Sequence, residues 1–155
     1  MTGDWGLGVG NWGPQQEGIA EPSRPYSSGR IHSFRDLNVW QDGVALAEAV
    51  YRETAGFPRT EDYGMTSQLR RASVSVASNI AEGWGRNSRK DYLRFLHVAR
   101  GSLFEVATQV EIARRVGLLD ADAAQRVETT GTTCGRRLSR LIAALARPQS
   151  PSPNS

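Results

Sequence analysis

Between Gln68 and Arg100 the chain places Arg70, Arg71, Arg86, Arg89, Lys90, Arg94 and Arg100 against only two acids, Glu82 and Asp91. This is a local charge of +5 in a 155-residue protein whose net charge is +3, so the remainder of the chain sums to −2. A concentrated cationic region attracts anions, and the planar arginine fork donates two parallel hydrogen bonds to a phosphate. Binding of nucleic acid, RNA or DNA, is the chemistry this pattern points to, with all seven residues as candidate contacts. The competing reading is ion pairing: residues 34–67 carry six acids against three basic residues, and that −3 suits neutralisation of the basic region within or between subunits.

Other reactive residue types are sparse. Asn79, Glu82 and Gly83 fall in one short run, but a lone carboxylate without a second acid, histidine or metal ligand is poor equipment for acid–base chemistry. Hydrogen bonding by Asn79 and Glu82 at a helix end or subunit contact, with Gly83 and Gly85 letting the backbone turn, is the simpler expectation. His97 lies near the basic residues and His32 far from it, without the helical i, i+4 partnering of a metal site. Cys134 is the single cysteine, which excludes an intrachain disulfide, and its place among helical apolar positions marks a buried structural thiol. Trp84 stands between two glycines, positioned either to stack on a base or, the favoured reading, to pack against a neighbouring helix. No catalytic residues, metal or cofactor are expected, and the protein reads as a non-enzyme.

The elements that position these residues are helical. Leu37, Trp40, Val44, Ala47 and Tyr51 recur at spacings of three and four over residues 36–54, which places Trp40 in the core, and Gly56, Phe57 and Pro58 stop that helix. Thr60, followed by Glu61, Asp62 and Tyr63, has the character of an N-cap, after which Met65, Leu69, Ala72, Val76 and Ile80 mark one face of a second helix. Arg70 and Arg71, adjacent on it, point about 100° apart. Gly83 and Gly85 end this helix.

Ser88 with Asp91 three residues on resembles a capping box and starts a third helix lasting to Val116. Its stripe is Tyr92, Phe95, Ala99, Leu103, Val106, Val110 and Ala113. Leu93, Leu96, Phe104 and Ile112 lie off that stripe as surplus apolar surface, suited to a neighbouring subunit. Gly117 suits a left-handed cap. A fourth helix over residues 120–146 presents Val127, Cys134, Leu138, Leu141, Ile142 and Leu145, weakened by roughly 1 kcal/mol at each of Gly131 and Gly135. The pattern predicts an all-α protein, an antiparallel up-and-down four-helix bundle spanning residues 34–147.

The ends differ in composition. Residues 1–33 are rich in glycine and proline and poor in aliphatic side chains, which predicts a disordered tail, although Trp5-Gly6 and Trp12-Gly13 form a near-repeat. Residues 148–155, with three prolines among serines, read as a second disordered tail. No stretch approaches the roughly 20 apolar residues of a membrane span, and no secretory signal pattern opens the chain, so the expectation is a cytoplasmic protein without membrane contact.

Several local runs, taken together, carry a family resemblance. Ser33-Phe34-Arg35-Asp36-Leu37 with Val39-Trp40, Phe57-Pro58 before Glu61-Asp62-Tyr63-Gly64, Gln68-Leu69-Arg70-Arg71-Ala72, Ser78-Asn79-Ile80-Ala81-Glu82-Gly83, and Tyr92-Leu93-Arg94-Phe95-Leu96 with Gly101-Ser102-Leu103 occur in that order. They closely resemble the four-helix bundle family of 23S ribosomal RNA intervening sequence proteins, over residues 33–119. The resemblance implies small bacterial bundles with a basic surface that assemble into rings, commonly homopentamers. A related branch includes the accessory variability protein of diversity-generating retroelements, which implies a reverse transcriptase and nucleic acid as partners. Family members usually carry proline where this chain has Ala77, and an interior proline would kink the second helix, so a straighter helix is expected here.

Overall fold

The structure, a computed structural model, describes residues 30–148. The expectations for residues 1–29 and 149–155 lie outside the described residues. After a short 3-10 turn at Phe34–Asp36, four helices follow: α1 (Asn38–Thr54), α2 (Met65–Trp84), α3 (Arg89–Arg115) and α4 (Ala121–Ala146). Each helix packs on its neighbour in the chain, and α4 closes the ring on α1. Pairings across the seams show that neighbours run antiparallel. Gly43 of α1 lies against Ala77 of α2, Gly83 against Tyr92 and Phe95, and Gly135 against Leu103. This is the up-and-down bundle that the apolar periodicity predicts, because four amphipathic helices with short connections bury their stripes most completely around one shared axis.

Capping residues set the helix ends. Ser88 accepts a hydrogen bond from the Asp91 amide at 3.1 Å, and Asp120 accepts one from the Ala123 amide at 2.7 Å. The reciprocal capping box is found elsewhere, at Ser33: its hydroxyl accepts from the Arg35 amide at 3.0 Å, while Asp36 Oδ2 accepts from the Ser33 amide at 3.1 Å. The second helix starts later than Thr60. Residues 59–61 form a single 3-10 turn, and Glu61 Oε2 reaches forward to accept from the Met65 amide at 3.0 Å. Gly117 adopts φ 82°, the left-handed cap expected of it.

Two apolar assignments shift. Of the expected first stripe Leu37 is buried, but on α1 itself the buried positions are Val39, Gly43, Leu46, Val50 and Thr54, one residue out of phase with Trp40, Val44, Ala47 and Tyr51; Val44 and Tyr51 are exposed, and Trp40 is half-buried edge-on to Phe34 at 5.2 Å. Both sets are apolar at helical spacing, and the Gly43–Ala77 contact, with an added Cβ only 3.3 Å from Ala77, selects the one that lets two backbones approach. On α3, Leu96 is fully buried, whereas Phe95, expected in the buried stripe, is only half-buried, and Phe104 and Ile112 are exposed. The core therefore takes part of the expected surplus.

Gly83 is also reassigned. It sits inside α2, buried, and a Cβ there would lie 2.9 Å from both Phe95 Cβ and Tyr92 Cδ2. Its role is close helix approach, not a turn. Gly85 at the C-cap has φ −75°, open to any residue.

Candidate nucleic-acid interface

The α2–α3 turn gathers Arg86 and Arg94 around one aromatic ring, with Lys90 between them in the chain. Arg86, just past α2, holds its guanidinium 4.6 Å from the Phe95 centroid and pairs with Glu82 at 2.5 Å. Arg94 lies 4.5 Å from the same centroid and 3.6 Å from Asp91. Lys90, one turn before Arg94, is exposed and has no partner among the described residues. Exposed ion pairs of this kind contribute about 0–1 kcal/mol, and the stacking on Phe95 a similar amount, so Glu82 and Asp91 hold these guanidiniums loosely enough to yield to a phosphate.

Arg70 and Arg71 sit at the other end, roughly 24 Å along α2 from Arg86 at 1.5 Å per residue. Arg70 turns toward α1, its Nε donating to Thr54 Oγ1 at 2.9 Å and its guanidinium lying 4.5 Å over the Tyr51 ring. Arg71 is exposed and unpaired among the described residues. Both line a groove of about 710 Å³ with Tyr51, Asp62, Ser67 and Thr66, whose buried Oγ1 has no hydrogen-bond partner.

The remaining two of the seven stand apart. Arg89 reaches across to the end of α4, where it donates to the carbonyls of Leu145, Ala144 (3.3 Å) and Arg147 (2.7 Å). Its cationic fork is thus occupied by backbone acceptors. Arg100 faces α4, beside Arg136 and Arg140. The sequence therefore marks seven candidates that the fold distributes as one cluster, one pair, one helix cap and one residue on a different seam.

Within the chain, the acids of the first helix pair elsewhere. Asp42 pairs with Arg137 at 3.0 Å and Glu53 with Arg126 at 2.6 Å, both on α4, while Glu48 pairs with Arg52 within α1. Partial burial pushes the Asp42 carboxyl above its ordinary range despite Arg137, and hydrogen bonding to Arg126 holds that of Glu53 below its own. Arg114 and Arg115 share Glu111, whose carboxyl they bring down to about 2.

The other residues marked by the sequence serve the fold. Asn79 Nδ2 donates to the Ser75 carbonyl at 2.8 Å and to Ser75 Oγ at 2.9 Å, and Ser75 in turn bonds Ser102 of α3 at 2.9 Å. Trp84 is buried, edge-on to Tyr92 at 6.3 Å, and is not presented for base stacking. His97 is exposed on α3. Among the described residues no group of His, Cys, Asp and Glu could hold a metal ion, and no helix is long and apolar enough to cross a membrane.

Cys134 is fully buried, and desolvation pushes its thiol up to about 12. Because the thiolate is the reactive species, iodoacetamide at pH 8 should leave the native protein unmodified and label it rapidly in urea. Mass spectrometry of the two samples checks this, and labelling at equal rates would mean that the helix opens readily around residue 134.

Taken together, the fold and its surface define a small antiparallel α-bundle that carries arginines its own acids leave unneutralised. Residues 35–140 match the family described as 23S rRNA-intervening sequence protein, and as this is more than half of the sequence, the chain belongs to that family. The fold is similar to a crystal structure from Bacteroides thetaiotaomicron, described as a protein with unknown function from the S23 ribosomal protein family. Identity is 19%, the TM-score 0.60, and the match covers 70% of this chain and 99% of that one. No curated protein matches the chain.

Proposed function

We propose that the protein is a non-enzymatic, ring-forming scaffold whose basic surface binds RNA or DNA, acting as an accessory factor to a reverse transcriptase or another nucleic-acid enzyme. The observation that supports this reading is the routing of charge: α1 directs its interhelical acids to α4, so Arg71 and Lys90 keep no carboxylate partner among the described residues and Arg86 and Arg94 keep only exposed ones. Apolar side chains left on the outside, Val74, Val98 and Ile112, offer contact area for neighbouring copies, in keeping with a homopentamer.

The test is an anisotropy titration of structured RNA, single-stranded DNA and duplex DNA across a salt series. The variant carries Arg71→Ala, Lys90→Ala and Arg94→Ala, with its oligomeric state checked by sedimentation. Wild-type affinity is expected to fall steeply with salt, and the triple variant should lower the log–log slope by about 2 to 3 per engaged copy, at roughly 0.7–0.9 for each lost phosphate contact. A properly assembled wild type that binds none of the three would overturn the proposal. The basic surface would then be assigned to subunit assembly or an acidic protein partner.

A further inference from the structure

On the seam between α3 and α4 lies a second groove, of about 660 Å³, floored by Leu103, Val106, Val110 and Val127 and edged by Phe104, which is 64% exposed. Gly131 and Gly135, one helical turn apart on α4, both line it. A Cβ at Gly131 would meet only Leu46 Cδ1, at 3.7 Å, and one at Gly135 only Leu103 Cδ1, at 3.8 Å, both ordinary contact distances. The internal packing of the chain thus does not require glycine at either position, although each weakens the helix relative to alanine. Gly131 faces Leu46 of α1 and Gly135 faces Leu103 of α3, so it is at Gly135 that the missing side chain leaves the channel between α3 and α4 open.

Charge is distributed unevenly along it. Because Gly135 lies opposite Leu103, the antiparallel register places Arg100, Arg136 and Arg140 together at one end and Glu128 at the other. None of the three arginines has a carboxylate partner among the described residues. From Glu128 to Arg140 the channel runs roughly 18 Å, the length of about three helical turns.

We infer that this groove is the docking site for an amphipathic helix of a partner protein, apolar along one face and acidic at one end. Apolar side chains at helical spacing would cover Phe104 and fill the channel above Leu103 and Val110, Gly135 would let the incoming backbone approach α4, and clustered Asp or Glu would meet the three arginines. A nucleic-acid backbone fits the groove less well, since it would leave the exposed Phe104 ring in water while satisfying only the arginine end. This inference stands independently of the nucleic-acid test, which rests on Arg71, Lys90 and Arg94.

The experiment is phage display of random 14-residue peptides against the full-length protein. Two variants serve as counter-targets: Gly135→Leu, which fills the channel, and Arg136→Ala with Arg140→Ala, which changes only exposed side chains. Enriched peptides should carry apolar residues at spacings of three and four with at least two acids grouped at one end. A synthetic peptide of the leading sequence should bind wild type and lose tenfold or more on each variant. Absence of enrichment, enriched peptides lacking the acidic cluster, or equal affinity for the arginine variant would each overturn the inference. So would sedimentation showing that Gly135→Leu dissolves the assembly, which would make a second copy the occupant. Loss of RNA affinity in the arginine variant with peptide affinity unchanged would assign that end to nucleic acid.

Discussion

Replacing Gly83 with alanine is expected to destabilise the bundle by about 2 kcal/mol, the overpacking cost of up to about 3 kcal/mol being reduced by the roughly 1 kcal/mol that alanine gains over glycine in a helix. The added methyl would enter at 2.9 Å from Phe95 Cβ and Tyr92 Cδ2 and 3.3 Å from the Tyr92 carbonyl. Tyr92 is fully buried, so neither ring nor backbone has room to retreat without separating α2 from α3. Valine at the same site should cost more, with α2 and α3 forced apart. Gly101→Ala is the matched control: it lies on the neighbouring helix, exposed, with nothing within 4 Å of an added Cβ, and should raise stability by about 1 kcal/mol. Urea unfolding midpoints for the two alanine variants should therefore move in opposite directions. A Gly83→Ala midpoint at or above wild type would mean that α2 and α3 do not approach this closely in solution.

Loss of Arg89 should be nearly as damaging, although the sequence places it among nucleic-acid contacts. Its guanidinium serves three carbonyls at the end of α4, where unpaired acceptors and the negative end of the helix dipole favour a cation. Hydrogen bonds to a charged group contribute about 1.5–3 kcal/mol net, so Arg89→Ala should cost about 2 kcal/mol and fray the last turn of α4 first. Arg89→Lys should recover little, because a point-like ammonium cannot span three carbonyls as the planar fork does. Hydrogen exchange of the α4 amides reads the fraying directly. The salt dependence of nucleic-acid binding should be unchanged in Arg89→Ala, in contrast to the Arg71, Lys90 and Arg94 variant; a reduced slope would return Arg89 to the binding surface.

These expectations show what the sequence discloses and what only the fold supplies. The fourth helix was legible nearly to the residue because its apolar stripe is unambiguous, and the third was legible in extent, punctuated by Ser88 and Gly117, but not at every core position, since Leu96 takes the buried place expected of Phe95. The first helix was legible as a helix but not in phase, since apolar residues occur at helical spacing on two adjacent faces and the Gly43–Ala77 contact decides between them. Gly83 reads in one dimension as a helix stop, and only a partner helix at van der Waals distance reveals it as a contact. The basic cluster was legible as a sum of charge. Its partition was not, because the direction of a long arginine side chain depends on acceptors distant in sequence: Thr54 for Arg70, residues 144–147 for Arg89, the Phe95 ring for Arg86 and Arg94. The cation–aromatic cluster had a faint signal, Arg94-Phe95 together with Arg86 across a short turn. The fate of the acids of α1 had none.

An even number of antiparallel helices returns the chain to the end from which it set out. The start of α1, the end of α4 and the α2–α3 turn therefore share one pole of the bundle, as the reach of Arg89 to residues 144–147 shows. A binding module grafted directly after Pro148 would therefore be tethered within a short radius of Arg86, Lys90 and Arg94, and would meet that surface at a high effective concentration irrespective of its intrinsic affinity. For protein engineering, this geometry makes the opposite pole, between α1 and α2 or between α3 and α4, the place to open the chain. A circular permutant with Arg30 and Pro148 joined by a short linker would keep all four helices in register and move the new ends away from the basic pole.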